Sequence, residues 1–140
     1  MKPRPFKLTA KYLTERQEQI GLVRWARLRA IKEPALDMLI AVPNGGYALD
    51  PATGAKLKAE GLAKGFPDMI LLCARGRYHG LAIELKSQRK GAALRPEQRQ
   101  WIERLRTAGY AVCVAHGASA AIKAIEKYLN LEAIGEGLKL

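Results

Sequence analysis

What this chain lacks narrows it before anything it contains. Its 140 residues hold two cysteines and two histidines, too few for a disulfide framework and without the spacing of a zinc site. Cys73 and Cys113 each fall inside an apolar, strand-like run and read as small buried hydrophobes of an intracellular protein. His79 and His116 stand alone and read as surface or strand-end residues. No stretch approaches the roughly 18 apolar residues of a membrane span, and the start Met1-Lys2-Pro3-Arg4-Pro5 has no apolar signal core. These absences predict a cytoplasmic protein, in the cytosol of its cell or at the nucleoid if its partner is DNA. The phosphate-cradling GxxxxGKS/T and GxGxxG patterns and the GxSxG nucleophile turn are missing too, which disfavours nucleotide-binding and serine-hydrolase chemistry. Acidic residues are in short supply: 13 Asp plus Glu stand against 24 Lys plus Arg, a formal net charge of +11. Such an excess suits a polyanionic partner, because each basic group placed at a phosphate releases condensed counterions. The alternative is a basic but inert surface.

The hydrophobic content of 49% with 13 glycines and 7 prolines fits a single globular domain large enough for a continuous core. Residues 1–13 read as a flexible basic arm, 14–130 as the domain and 131–140 as a tail. Thr14 is placed to cap a helix whose first turn holds Glu15 and Glu18, and that helix should run to about Lys32, before Pro34. A strand over 38–42 ends at Pro43-Asn44-Gly45-Gly46, and a helix over 51–61 closes at Gly61. Strands over 69–73 and 81–86 follow, joined by a hairpin around Arg75-Gly76-Arg77, then a basic loop from Gln88 to Arg95. Pro96 suits the first position of a helix ending at Gly109; a strand over 110–115 and a helix over 118–129 complete the pattern. The order α-β-α-β-β-α-β-α predicts an α/β fold with a mixed sheet flanked by helices.

Chemistry concentrates in Asp68 and in Glu84-Leu85-Lys86. Side chains alternate along a strand, so Ala82, Glu84 and Lys86 share one face while Leu81, Ile83 and Leu85 share the other. A carboxylate and an ammonium on an otherwise apolar strand are costly to bury unless another charge sits beside them. Asp68 opens the neighbouring strand and can supply it. Two converging carboxylates can hold a hard divalent cation through oxygen, and a nearby lysine can orient or activate a water. That combination suits phosphodiester hydrolysis.

Two more polar residues sit where the pattern calls for apolar ones. At ~100° per residue, Glu15 and Gln19 project onto the stripe of Leu22, Val23, Ala26 and Ala30, while Glu18 points further round, towards the flank of Trp25. Glu15 therefore reads as facing the cation, or else as a first-turn glutamate serving the helix dipole. Gln98 shares a stripe with Ile102 and Leu105 and should face the sheet, where its amide can hydrogen-bond a metal-bound water or position a phosphate; a glutamine snorkelling at a helix start is the plainer reading. Asn44-Gly45-Gly46 is either a plain turn or a substrate-contact loop.

Taken together, Glu15 with Gln19, Pro43-Asn44-Gly45-Gly46, Gly65-Phe66-Pro67-Asp68, Glu84-Leu85-Lys86 and Gln98 resemble the VRR-NUC domain of the PD-(D/E)xK nuclease superfamily, in the family's order and across roughly residues 12–130. The resemblance implies a restriction-endonuclease-like core and Mg²⁺-dependent cleavage of DNA, with Mn²⁺ as a substitute. It implies Asp68, Glu84 and the Leu85 carbonyl as metal ligands, Lys86 as the residue that positions or deprotonates the attacking water, Glu15 reaching the metal through water, and Gln98 in support. The chain resembles the small stand-alone, phage-type members.

The expected activity is structure-selective endonuclease cleavage, with four-way (Holliday) junctions or related branched DNA as substrates. Arg89, Lys90 and Arg95 on one flank and Lys56, Lys58 and Lys64 on the other would grip phosphates, with Asn44 also at the DNA. Nothing resembles a base-reading helix-turn-helix or zinc finger, so shape is the expected cue. The alternative is a non-catalytic nucleic-acid-binding protein that retained the fold. Symmetric cutting of two strands calls for a homodimer, for which Tyr12, Leu13, Trp25 and Leu28 offer apolar material, unless these pack within the monomer.

Overall fold

The computed structural model describes residues 11–43 and 50–135. The first helix, α1 (Glu15–Arg29), begins at a reciprocal cap: Thr14 Oγ1 accepts the Gln17 N–H at 3.2 Å and Gln17 Oε1 accepts the Thr14 N–H at 2.9 Å. A 3₁₀ turn over Pro34–Met38 leads into β1 (Leu39–Ala41). The expected strand over 38–42 is thus shortened, because Pro34 starts a turn that consumes Met38. Its outer backbone groups still pair: Val42 N–H donates to the Asp68 carbonyl at 2.8 Å and Leu72 N–H to that of Met38 at 3.1 Å.

Helix α2 (Pro51–Ala59) is capped by Asp50, whose Oδ1 accepts the Thr53 N–H at 3.0 Å. Strands β2 (Met69–Leu71) and β3 (Leu81–Lys86) follow; β2 is shorter than the expected 69–73. Helix α3 (Pro96–Thr107), β4 (Ala111–His116) and α4 (Ala118–Leu129) close the order. The four-stranded sheet runs β1-β2-β3-β4, antiparallel across the first two pairs and parallel between β3 and β4. The mixed α/β architecture matches the sequence expectation.

Strand parity sorts the core. Leu81, Ile83 and Leu85 share a face with Met69 and Leu71, which pair with Ile83 and Leu81 across the ladder. That face packs under α1 and α4, where Leu22, Ala26, Ala121, Ile125 and Tyr128 are buried with them. The other face, with Ala82, Glu84 and Lys86, meets α3. All six β3 residues are buried, so the charged pair lies inside the protein and its strand is covered from both sides. Trp25 packs against the core from α1, which is its monomer role; Leu28 on the same helix is 69% exposed. Beyond α4 the chain returns to the hairpin: Gly76 N–H donates to the Glu132 carbonyl at 2.7 Å, and Arg75 bridges to Ala133.

Candidate active site

Asp68 is held at the point where β2 starts. Buried Pro67 precedes it and cannot donate to the ladder, and pairing with β3 begins at Met69. Continuing the register one step beyond Met69↔Ile83 sets Asp68 opposite Glu84. Its carbonyl takes the Val42 N–H, while its Oδ2 accepts the Leu85 N–H at 2.7 Å. The approach of this segment to α3 depends on Gly65. Its φ is +85°, and a Cβ there would lie 2.6 Å from the Glu97 carbonyl carbon. One residue on, Phe66 meets Trp101 of α3 edge-on, with ring centroids 4.9 Å apart. The loop carrying Asp68 and the first turn of α3 are therefore locked face to face.

Gln98 uses that placement. Its Oε1 accepts from Lys86 Nζ at 2.9 Å and from the Arg95 N–H at 2.8 Å, and its Nε2 donates to Glu84 Oε1 at 2.5 Å. Lys86 Nζ also lies 3.4 Å from Glu84 Oε1. Glu84, Lys86 and Gln98 are 2%, 6% and 4% exposed. This satisfies one oxygen of Glu84 twice over and leaves the other, Oε2, buried with no hydrogen-bond partner. A buried carboxylate oxygen without a partner is costly, and a cation is one of the few things that compensates it.

The electrostatics point the same way. Burial, and then the negative charge of Asp68, push the Glu84 carboxyl up to about 7, against the opposing pull of Lys86. Burial also raises Asp68; the Leu85 N–H opposes the rise and the Glu15 charge adds to it. Carboxylates that destabilise one another when ionised favour a retained proton or a positive charge beside them.

Glu15, Asp68, Glu84, Leu85, Arg95 and Gln98 line one cleft of about 960 Å³. Lys86 joins it through Gln98. Glu15 is an exposed residue at the cleft wall, not part of the buried cluster. Among the described residues, no group of three or more His, Cys, Asp and Glu side chains is gathered closely enough to hold a metal. The acidic side chains that the fold sets side by side are the half-buried Asp68 and the buried Glu84, adjacent across the β2–β3 ladder.

A model of the VRR-NUC domain matches residues 13–119 of the chain. The chain belongs to the VRR-NUC domain family. A solved structure described as a VRR_NUC domain protein is similar to it with a TM-score of 0.75 and 33% sequence identity, over 89% of this chain and 95% of that one. No curated protein sequence matches. VRR-NUC is a nuclease family, so nucleic acid is the substrate class its fold serves.

Within the VRR-NUC fold the expected phosphate contacts divide. Arg95 lines the cleft, and Arg89 and Lys90 are exposed on the loop after β3. Lys56 and Lys58 lie on α2 and do not line the cleft, whereas Lys64 is ion-paired to Glu97 at 3.3 Å. Asn44 lies outside the described residues.

Two features lie beyond the sequence expectations. Arg16, Arg24 and Arg27 of α1 line the cleft together with Ile20 and Val23. None of the three is ion-paired among the described residues. Their spacing is the available signal: at ~100° per residue, Arg16, Ile20, Val23 and Arg27 fall on one narrow stripe. The second feature is Glu18. It does point to the Trp25 flank, but α4 covers that flank and Glu18 is 4% exposed.

Proposed function

We propose that this protein is a divalent-metal-dependent DNA endonuclease selective for branched structures, four-way junctions among them. One observation carries the reading: the partnerless, buried Oε2 of Glu84 beside Asp68, in a cleft rimmed by arginines. Asp68, Glu84 and the Leu85 carbonyl would hold Mg²⁺, or Mn²⁺ in its place, with Glu15 acting through water. Such an ion supplies positive charge to the phosphate oxygens and acidifies water.

This chain's own residues do the rest. Gln98 fixes Lys86 by accepting from Nζ, and Lys86 positions the attacking water as an ammonium or takes its proton as the neutral amine. Gln98 also donates to Glu84 Oε1, which leaves Oε2 as the free ligand atom. Arg16, Arg24, Arg27 and Arg95 line the cleft and meet phosphates, with Arg89 and Lys90 beside it. Contacts to phosphates, with no base-reading motif in the sequence, favour duplex arms held by their backbones, and shape over sequence. Paired cuts need two such sites, which a homodimer provides.

A non-catalytic binder that kept the fold is the weaker reading, because acidic groups facing phosphate oppose binding without a cation. The deciding experiment is incubation with labelled junctions, flaps, duplexes and single strands in Mg²⁺, Mn²⁺ or EDTA. Junction cutting in the metals and none in EDTA supports the proposal. Equal cutting of plain duplex removes the branch selectivity, and no cutting of any substrate removes the enzyme.

A further inference from the structure

Helix α4 has no cap of its own. Its N-cap is Gly117, which has no side chain to offer the first-turn amides. The cap arrives instead from α1. Glu18 Oε2 accepts the N–H of Ala118, the first residue of α4, at 2.8 Å, while its Oε1 accepts the Gln88 amide at 3.0 Å. Both oxygens are thus satisfied, and the carboxylate sits at the positive end of the helix dipole.

The neighbours of this carboxylate belong to the site. Gln88 stands two residues past Lys86, and the Lys86 carbonyl accepts the Gly117 N–H at 3.0 Å. Gly117 has φ +93°, and a Cβ there would fall 2.6 Å from Gln88 Nε2. The Gln88 side chain therefore lies flat against the glycine while it reaches Glu18. On α1, Glu18 follows Glu15 by one turn. Glu18 itself does not line the cleft; it lies behind it.

We propose that Glu18 is a positioning residue of the nuclease site. It ties the first turn of α1 to the exit of β3 and to the start of α4, so that Glu15 and Lys86 keep a fixed separation. The proposal rests on the nuclease reading above. The hydrogen bonds carry the effect, and a glutamine can keep both. Its amide oxygen accepts from Ala118, and its NH₂ donates to Gln88 once that amide turns over. An alanine keeps neither.

The test compares Glu18→Ala, Glu18→Gln and Tyr128→Phe by kcat and KM on a cleaved junction, and by amide exchange at Ala118. Tyr128→Phe is the control, since it removes the hydroxyl that donates to the Cys73 carbonyl at 2.6 Å and loosens α4 far from the site. Glu18→Ala should lower kcat and speed Ala118 exchange by up to about tenfold, the scale of a lost hydrogen bond, with little change in KM. Glu18→Gln should stay close to wild type in every readout, and should cost far less than Glu15→Gln. Tyr128→Phe should lower the melting temperature and leave kcat alone. A folded Glu18→Ala with wild-type kcat overturns the proposal, as does a Glu18→Gln as impaired as the alanine or an equal kcat loss in Tyr128→Phe. Exchange separates the two readings. A wild-type protein that cuts nothing sinks the nuclease, whereas unchanged Ala118 exchange in Glu18→Ala sinks the clamp itself.

Discussion

Lys86 meets Gln98 at 2.9 Å, and the same amide continues to Glu84. These hydrogen bonds fix which end of the amide faces which partner, because only its oxygen can accept from an ammonium and from the Arg95 N–H. Lysine and carboxylate are therefore presented at set positions by a residue that lies on another element. The buried pair is a preorganised device, not a stabilising salt bridge, since burying two charges gains little over an apolar pair.

The two carboxylates should fail in a characteristic way. Asp68→Asn and Glu84→Gln are expected to abolish cleavage while DNA binding holds or tightens, because each removes a negative charge near phosphate. Cleavage rates and a binding isotherm on one junction check this. Near-wild-type turnover in either variant rules out the assignment.

Lys86→Ala should keep metal binding by calorimetry and lose at least roughly 100-fold in rate, the scale of an acid–base or water-orienting group. Normal metal binding with an unchanged rate would make Lys86 structural.

The raised Glu84 carboxyl has a consequence for the metal-free protein. Its folded value of about 7 lies above its usual 4.5, so between these values the folded state holds a proton that the unfolded state has released. Stability therefore falls as pH rises through that window. The melting temperature, measured in EDTA from pH 5 to 8, should decline, and Glu84→Gln should flatten the decline. A rising or level profile in the wild type contradicts the buried, cation-seeking state.

If α1 carries phosphates, replacing Arg16, Arg24 and Arg27 by glutamine weakens DNA binding and lowers its salt dependence, by about 0.9 in log–log slope for each phosphate no longer neutralised. An unchanged slope, measured without metal, would remove α1 from the DNA interface.

Light scattering at micromolar concentration should give a homodimer. Leu28, exposed on α1 at the cleft, is the residue to test by Leu28→Glu, with light scattering in the absence of DNA expected to show the dimer lost, whereas Trp25 packs against the monomer core. A monomer that cuts paired strands at once contradicts the two-site argument, and one that only nicks points to a nick- or flap-making role.

The legible parts of this molecule are those governed by local period. The two-residue alternation of β3 puts Glu84 and Lys86 on one face, and the helical stripe of Gln98, Ile102 and Leu105 turns the amide to the sheet; all three of these α3 residues are buried. Glu15 comes out at the cleft for the same reason. The burial of Glu18 is not legible, because its cover is built from Gln88 and Ala118, far along the chain. The α1 arginines resemble an ordinary solvated face in sequence, and only the fold brings Ala41 and Val42 to the cleft they line. The shortened β1 reflects a 3₁₀ turn that a proline invites but does not dictate.

The family match stops at residue 119, two residues into α4. Yet Ala121, Ile125 and Tyr128, all beyond that limit, are at most 4% exposed and pack under the sheet, and the Tyr128 hydroxyl holds the Cys73 carbonyl. The unit that folds is therefore longer than the unit that the family model outlines. Excising 13–119 for expression or fusion would uncover one face of β3 and β4, and the fragment should aggregate while keeping every residue of the proposed chemistry.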